Sequence, residues 1–355
     1  MSFRPYDHPD FEQARALQKR VGVVDLHVDS IIQQILFRYN VRKRHRAGFK
    51  GQPLIWHADI PRLREAGYKV ICMGIHYWPW ESKKAWRLLN KQIDYLDKVA
   101  AEDPDAMRIH GPDDWDAAFE RGVLGMVPGV EGAHLLAGNL GRVQEMASRG
   151  VAYLTLAHFS RNSAATPSMG RGANERDGLT DFGRALVAEL NRWGVTIDCA
   201  HVNTPGVMEV CELTKAPIFC THTGVKGVHD VSRNVSDAEI DAIAHTDGVI
   251  GIMYASTFLA GSLRTSSQAI VDHIDYVVKR VGVRHVCLGS DYDGWIPIPR
   301  DQRDCRDVVK VTDGLLRRGY SEQDIALILR DNAARVRRAS WEARLETASP
   351  YRSAS

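Results

Sequence analysis

The chain lacks any long apolar run. No stretch approaches the roughly 18 apolar residues that a membrane-spanning helix needs, and the apolar part of Gly248–Tyr254 is far shorter. It also lacks a dominant charge: 46 basic and 44 acidic side chains leave a formal net charge of +2. So small an excess exerts no sequence-wide pull on nucleic acid or an anionic membrane, and neither is expected as a partner. Cysteine is scarce, six residues with no C-x-x-C pair, and Cys72, Cys199, Cys220 and Cys287 fall inside apolar runs. Buried free thiols are therefore expected in place of a disulfide framework. The N-terminus carries no apolar signal-like segment and the C-terminus is polar. These features set the expectation of a cytoplasmic protein with neither signal peptide nor lipid anchor. No G-x-G-x-x-G turn follows the first apolar run, and there is no internal repeat or low-complexity tract.

What is present is a chain of 355 residues, 44% hydrophobic and 25% charged, the composition of an ordinary globular enzyme. Short β-rich runs recur at Gly22–Leu26, Lys69–Ile75, Val123–Val130, Ala152–Ala157, Val195–Ala200, Pro217–Cys220, Val249–Tyr254 and Val286–Gly289. Amphipathic helical patterns lie between them, among them Lys84–Ala101, Leu140–Ser148, Phe182–Trp193, Asp237–His245 and Gln268–Val281. Alternating βα units imply parallel strands with right-handed crossovers. Eight of them, without a dinucleotide-binding turn, predict an α/β fold of the (β/α)8 TIM-barrel type. Residues 1–340 read as one barrel domain and 341–355 as a polar tail, with the sequence turning polar from about Arg337. Arg42-Lys-Arg-His-Arg46 reads as an exposed loop after the first strand.

The chemistry lies at the end of each run. The first ends Asp25-Leu-His27-Val-Asp29 and the third Gly129-Val-Glu131-Gly; the fourth, fifth and sixth end at His158, His201 and His222. The eighth ends Ser290-Asp291-Tyr-Asp293. A parallel barrel gathers these C-terminal strand ends on one rim, where barrel enzymes keep their active sites. His27 and Asp29, two apart on a strand, point the same way and together form a zinc ligand set. His201 and His222 offer a second pair of nitrogens, and Glu131 has two oxygens with which to bridge two ions. Paired metals share a hydroxide that is nucleophilic at neutral pH and polarise a bound carbonyl. Asp291 is then the carboxylate left to carry a proton from the attacking water to the leaving group. A lone histidine at a strand end is more often structural, and His76, after the second run, is assigned to that class.

As a set, these segments resemble the membrane (renal) dipeptidase family, peptidase family M19 of the amidohydrolase superfamily, from about Val23 to Val336. The motifs in order are Asp25-Leu-His-Val-Asp29, Asp59-Ile-Pro-Arg-Leu63, Gly129-Val-Glu-Gly-Ala-His134, Leu154-Thr-Leu-Ala-His158 and Gly178-Leu-Thr-Asp-Phe-Gly183. They continue with Ile197-Asp-Cys-Ala-His-Val202, His222 followed by Ser232-Arg-Asn-Val-Ser-Asp237, and Leu288-Gly-Ser-Asp-Tyr-Asp-Gly294. The resemblance implies two zinc ions, with manganese or cobalt as substitutes. It makes His27 and Asp29 ligands of one, His201 and His222 ligands of the other, and Glu131 the bridge. It further implies that His158 steadies the oxyanion, Arg233 grips the substrate's terminal carboxylate and Asp291 is the acid/base. A guanidinium fork suits a free carboxylate and favours a dipeptide over a longer chain.

The resemblance also implies tolerance of a D-residue at the C-terminal position, and a homodimer. Two segments depart from the family pattern: Met253-Tyr-Ala-Ser-Thr257 where Asn-Phe-Tyr is usual, and Arg330-Asp-Asn332 where Gly-Gly-Asn is usual. Trp78 and Trp80 follow the second run and Trp295 the eighth, placed to wall a substrate pocket with Trp78 and Trp295 foremost. The expected activity is a dinuclear zinc dipeptidase; the alternative is a related amidohydrolase acting on N-acyl amino acids or another small amide.

Overall fold

In the computed structural model, which describes residues 4–46, 54–77 and 80–344, the strands are β1 (Val23–Val28), β2 (Tyr68–Ile75), β3 (Ala106–Arg108), β4 (Leu124–Glu131), β5 (Tyr153–Thr155), β6 (Thr196–Asp198), β7 (Phe219–Thr223), β8 (Val249–Ile252) and β9 (Val286–Leu288). Every ladder is parallel, in the order β1-β2-β4-β5-β6-β7-β8-β9. The ring closes beyond β9, where Asp291 N donates to the His27 carbonyl (2.9 Å) and Asp29 N to the Tyr292 carbonyl (2.7 Å). The architecture is the expected (β/α)8 barrel.

β3 was not foreseen. It pairs with Leu124–Met126 of β4, while β5 pairs with Gly129–Glu131, so two strands divide one edge. Three residues carry too little periodicity to register as a strand in sequence. β5, β6 and β9 are likewise shorter than their apolar runs, because hydrophobicity continues past the ladder into buried loops at the rim. The helices Asp237–His245 and Gln268–Val281 match their expected spans, and Lys83–Glu102 and Asp181–Trp193 begin within a residue of theirs. Their ends follow local chemistry: Thr180 and Ser236 cap N-termini through their hydroxyls, and Gly194 takes the left-handed conformation that ends Asp181–Trp193.

Apolar side chains from seven of the eight barrel strands meet in one cluster, including Val24, Leu26, Val70, Cys72, Val127, Tyr153, Phe219, Val249 and Cys287. Only the lumen lets so many strands touch, so the barrel is a packed core and the chemistry is confined to its rim. Ala333 and Val336 of the last helix, Asn332–Glu342, join this cluster. The polar tail therefore starts later than about Arg337: that residue is buried and donates to the Gly194 carbonyl (2.7 Å), and Ser340 donates to that of Pro217 (2.8 Å). Residues 345–355 of the expected tail lie outside the described residues. All six cysteines are free, five of them buried. No helix among the described residues is long and apolar enough to cross a membrane.

A candidate metal centre at the barrel mouth

The rim gathers the expected residues around Glu131, the last residue of β4. His201 Nε2 lies 3.1 Å and His222 Nε2 3.3 Å from Glu131 Oε1, and the two nitrogens are 2.9 Å apart. His27 Nε2 is 3.7 Å from the same oxygen, Glu131 Oε1, and 3.2 Å from Asp29 Oδ1. His158 Nε2 stands 3.6 Å from Glu131 Oε2. Asp291 groups with His27 and His222, their ligand-capable atoms within 4.8 Å of one another. Such crowding requires glycines: a methyl group on Gly74 would overlap Asp29 Oδ1, and one on Gly294 would overlap Asp291 Oδ1.

Hydrogen bonds behind the cluster fix the imidazole tautomers. Thr221 Oγ1 donates to Asp198 Oδ2 (2.7 Å), so it accepts from His222 Nδ1–H (2.9 Å) and leaves Nε2 bare. Tyr153 Oη donates to the Leu26 carbonyl (2.9 Å) and accepts from His27 Nδ1–H (2.7 Å), which directs His27 Nε2 at the carboxylates. His27 Nε2 and Asp29 Oδ1 are buried without a hydrogen-bond partner. Lone pairs facing one another across about 3 Å repel unless positive charge lies between them. Imidazole nitrogens and carboxylate oxygens in this arrangement fit a divalent metal such as zinc.

The electrostatics agree. Burial opposes charge on His27, but the Asp29 and Glu131 carboxylates outweigh it and push the imidazole up to about 10. Those carboxylates draw positive charge to Nε2, a proton and a metal cation alike. Burial holds His158, His201 and His222 well below the ordinary histidine range, so their lone pairs are free. Burial, followed by the Asp29 charge, drives the Asp291 carboxyl well above the usual range.

Sequence reasoning missed four participants. His76, assigned a structural role, in fact joins the cluster: Nδ1 lies 3.3 Å from both Asp29 Oδ1 and Glu131 Oε2. Its position directly after β2 was the same signal that marked the other histidines. Tyr153 and Asp198 act through tertiary hydrogen bonds with no sequence signature. Asp25 accepts from Ser290 N (2.8 Å) and His27 N (3.1 Å), tying the two strands that meet at the closure.

Arg233 is buried on the loop after β7, and its Nη2 donates to the His222 carbonyl (2.7 Å), using one of its five N–H donors. Beside the cluster opens a cavity of about 490 Å³ lined by Ile32, Leu36, His76, Tyr77, His158, Phe159 and Trp295. Trp295 lines this cavity, whereas Trp78 lies outside the described residues. Trp80 is half-exposed and does not line the cavity. Nor does the altered segment after β8: Met253, Tyr254 and Ala255 are fully buried.

The model of the membrane dipeptidase family, peptidase family M19, matches residues 11–350. Dipeptidase 3 of Rattus norvegicus is 27% identical over 336 residues, which is 92% of this chain and 66% of that protein. The chain therefore spans less than two thirds of that relative's length. The probable dipeptidase PvdM of Pseudomonas aeruginosa superposes with a TM-score of 0.82 at 20% identity, covering 94% of this chain and 99% of that one. A metallopeptidase from Rhodobacter sphaeroides, liganded with a phosphinate mimic of the dipeptide L-Ala-D-Ala, gives 0.79 at 22% identity, covering 90% and 99%. At these identities the structural likeness speaks for the shared fold.

Proposed function

The chain belongs to the membrane dipeptidase family, peptidase family M19, and on that premise we propose that it is a zinc-dependent dipeptidase that hydrolyses the peptide bond of free dipeptides. The observation that carries this reading is the buried set of lone pairs converging on Glu131 beside an open cavity. His27 and Asp29 would hold one zinc ion and His201 and His222 a second, with Glu131 reaching both. Zinc in such a site supplies Lewis acidity, polarising a carbonyl and making water acidic near neutral pH.

The protein's own groups divide the remaining work. Asp291, ionised once bound cations offset the burial and the neighbouring carboxylate charge that raise its carboxyl, takes a proton from the attacking water as its oxygen bonds to the carbonyl carbon, then delivers that proton to the amine as the C–N bond breaks. His158, kept neutral by burial, donates a hydrogen bond to the carbonyl oxygen as negative charge develops there. Arg233, its plane fixed by the His222 carbonyl, pairs with the free C-terminal carboxylate, which limits the substrate to two residues. The Rhodobacter sphaeroides structure, with its mimic of L-Ala-D-Ala, supports a D-residue at that end.

The test is amino-acid release from L-L and L-D dipeptides, tripeptides and N-acyl amino acids, with zinc-loaded and chelator-stripped enzyme. Metal-dependent cleavage confined to dipeptides is expected. Arg233→Ala should lower kcat/KM on free dipeptides at least a hundredfold and spare their C-terminal amides. Cleavage of N-acyl amino acids with no dipeptide turnover would transfer the assignment to another amide.

A further inference from the structure

The cavity beside the cluster has walls unlike the cluster itself. Apart from His76 and His158 it is lined, among the described residues, by apolar and aromatic side chains, with no carboxylate, lysine or arginine. Leu36, Phe159 and Trp295 are 47%, 41% and 47% exposed there, and the ring of Phe37, itself 48% exposed, lies 5.6 Å from that of Trp295. Large apolar side chains gathered half-exposed at one opening mark a surface that a ligand covers. The backbone adds a second, independent sign. Trp295 sits at φ +61°, a left-handed conformation that costs a bulky residue free energy, at the point where it lines the opening.

The position of the cavity says which part of a ligand enters. His158 belongs both to its wall and to the cluster, so an occupant lies beside the reacting bond. The remaining walls follow β9, β1, β2 and β5, whereas Arg233 follows β7, which stands diametrically opposite β2 in the ring of eight. A dipeptide with its carboxylate on Arg233 therefore extends its N-terminal residue toward Tyr77 and Ile32. We propose that this cavity is the subsite for the N-terminal side chain, and that dipeptides beginning with a large apolar residue are the preferred substrates. The proposal rests on the dipeptidase reading and on Arg233 as the carboxylate anchor.

The experiment compares kcat/KM for Leu-Gly, Phe-Gly, Gly-Gly, Asp-Gly, Lys-Gly and Gly-Leu on the zinc-loaded enzyme. Calorimetric binding of reduced-amide analogues of Leu-Gly and Gly-Gly runs alongside. Leu-Gly and Phe-Gly should exceed Gly-Gly and Gly-Leu by about tenfold or more, the scale of a few methylenes in an apolar pocket, and the charged dipeptides should be poorer still. Trp295→Ala and, separately, Leu36→Ala should each reduce the Leu-Gly to Gly-Gly ratio several-fold. Equal kcat/KM across the panel, or Gly-Leu ahead of Leu-Gly, overturns the assignment. If no dipeptide turns over but the leucine analogue still binds tighter, the dipeptidase reading fails and the subsite stands. Equal binding of the two analogues removes the subsite.

Discussion

At the scale of single residues, the candidate metal site depends on protons held on the ring nitrogens that face away from it. Thr221 is committed by Asp198 to accept from His222 Nδ1, which keeps Nε2 bare. Thr221→Val removes that acceptor while keeping the shape of the side chain. Zinc affinity should fall about 10- to 100-fold, read by competition against a chromogenic chelator, and Thr221→Ser should restore it. Asp291→Asn should lower kcat by two to four orders of magnitude while the protein still elutes with metal. The residues that gather around Glu131 were legible because each is a polar side chain abruptly ending an apolar run. His76 obeyed the same rule and was still set aside, since one histidine carries little weight alone. Tyr153 and Asp198 were illegible for a different reason. Their work is done across 127 and 23 residues of sequence separation, between Tyr153 and Leu26 and between Thr221 and Asp198.

Elements show where pattern suffices. Helices such as Gln268–Val281 could be bounded from their apolar stripe, but the stripe says nothing of what a polar member on its inner face does. His273 is such a member: buried, it accepts from Val225 N (2.9 Å) through Nδ1 and contacts the Leu259 carbonyl (2.9 Å) through Nε2. That pairing requires the neutral imidazole, and burial lowers its pKa below the ordinary 6.5. In the unfolded chain the same histidine gains a proton near pH 6.5. Its contribution to stability is therefore complete above that pH and is lost progressively as pH falls below it. The thermal midpoint should drop between pH 7 and 5, and the drop should be shallower in His273→Gln. The strand β3 shows the converse, since its three-residue ladder owes its existence to a neighbour and leaves no period in sequence.

For the molecule as a whole, the eightfold repeat was plain in the alternation of elements, while the floor of the barrel was not. Arg337 and Arg338 give the last helix a solvent-facing look, yet Arg337 is buried beneath the barrel and Val336 enters its lumen cluster. Arginine carries a long apolar stem, and burial of that stem is invisible to a charge-based reading. Val336→Asp places an unpaired carboxylate in that cluster. It should cost on the order of 3 kcal/mol or more, seen as a global loss in chemical denaturation and not as a local defect at the mouth.

The seam that closes the ring has a consequence in time. Asp29 and Asp291 lie on its two lips, joined by amides that bond across to Tyr292 and His27. On the ribosome these lips are made more than two hundred residues apart, so nothing can fasten them until the chain is nearly complete. A half-synthesised chain holds His27, Asp29 and Glu131 but neither Asp291 nor the wall at Trp295. The proposed site is thus incomplete in the nascent chain and is assembled only with the finished hoop.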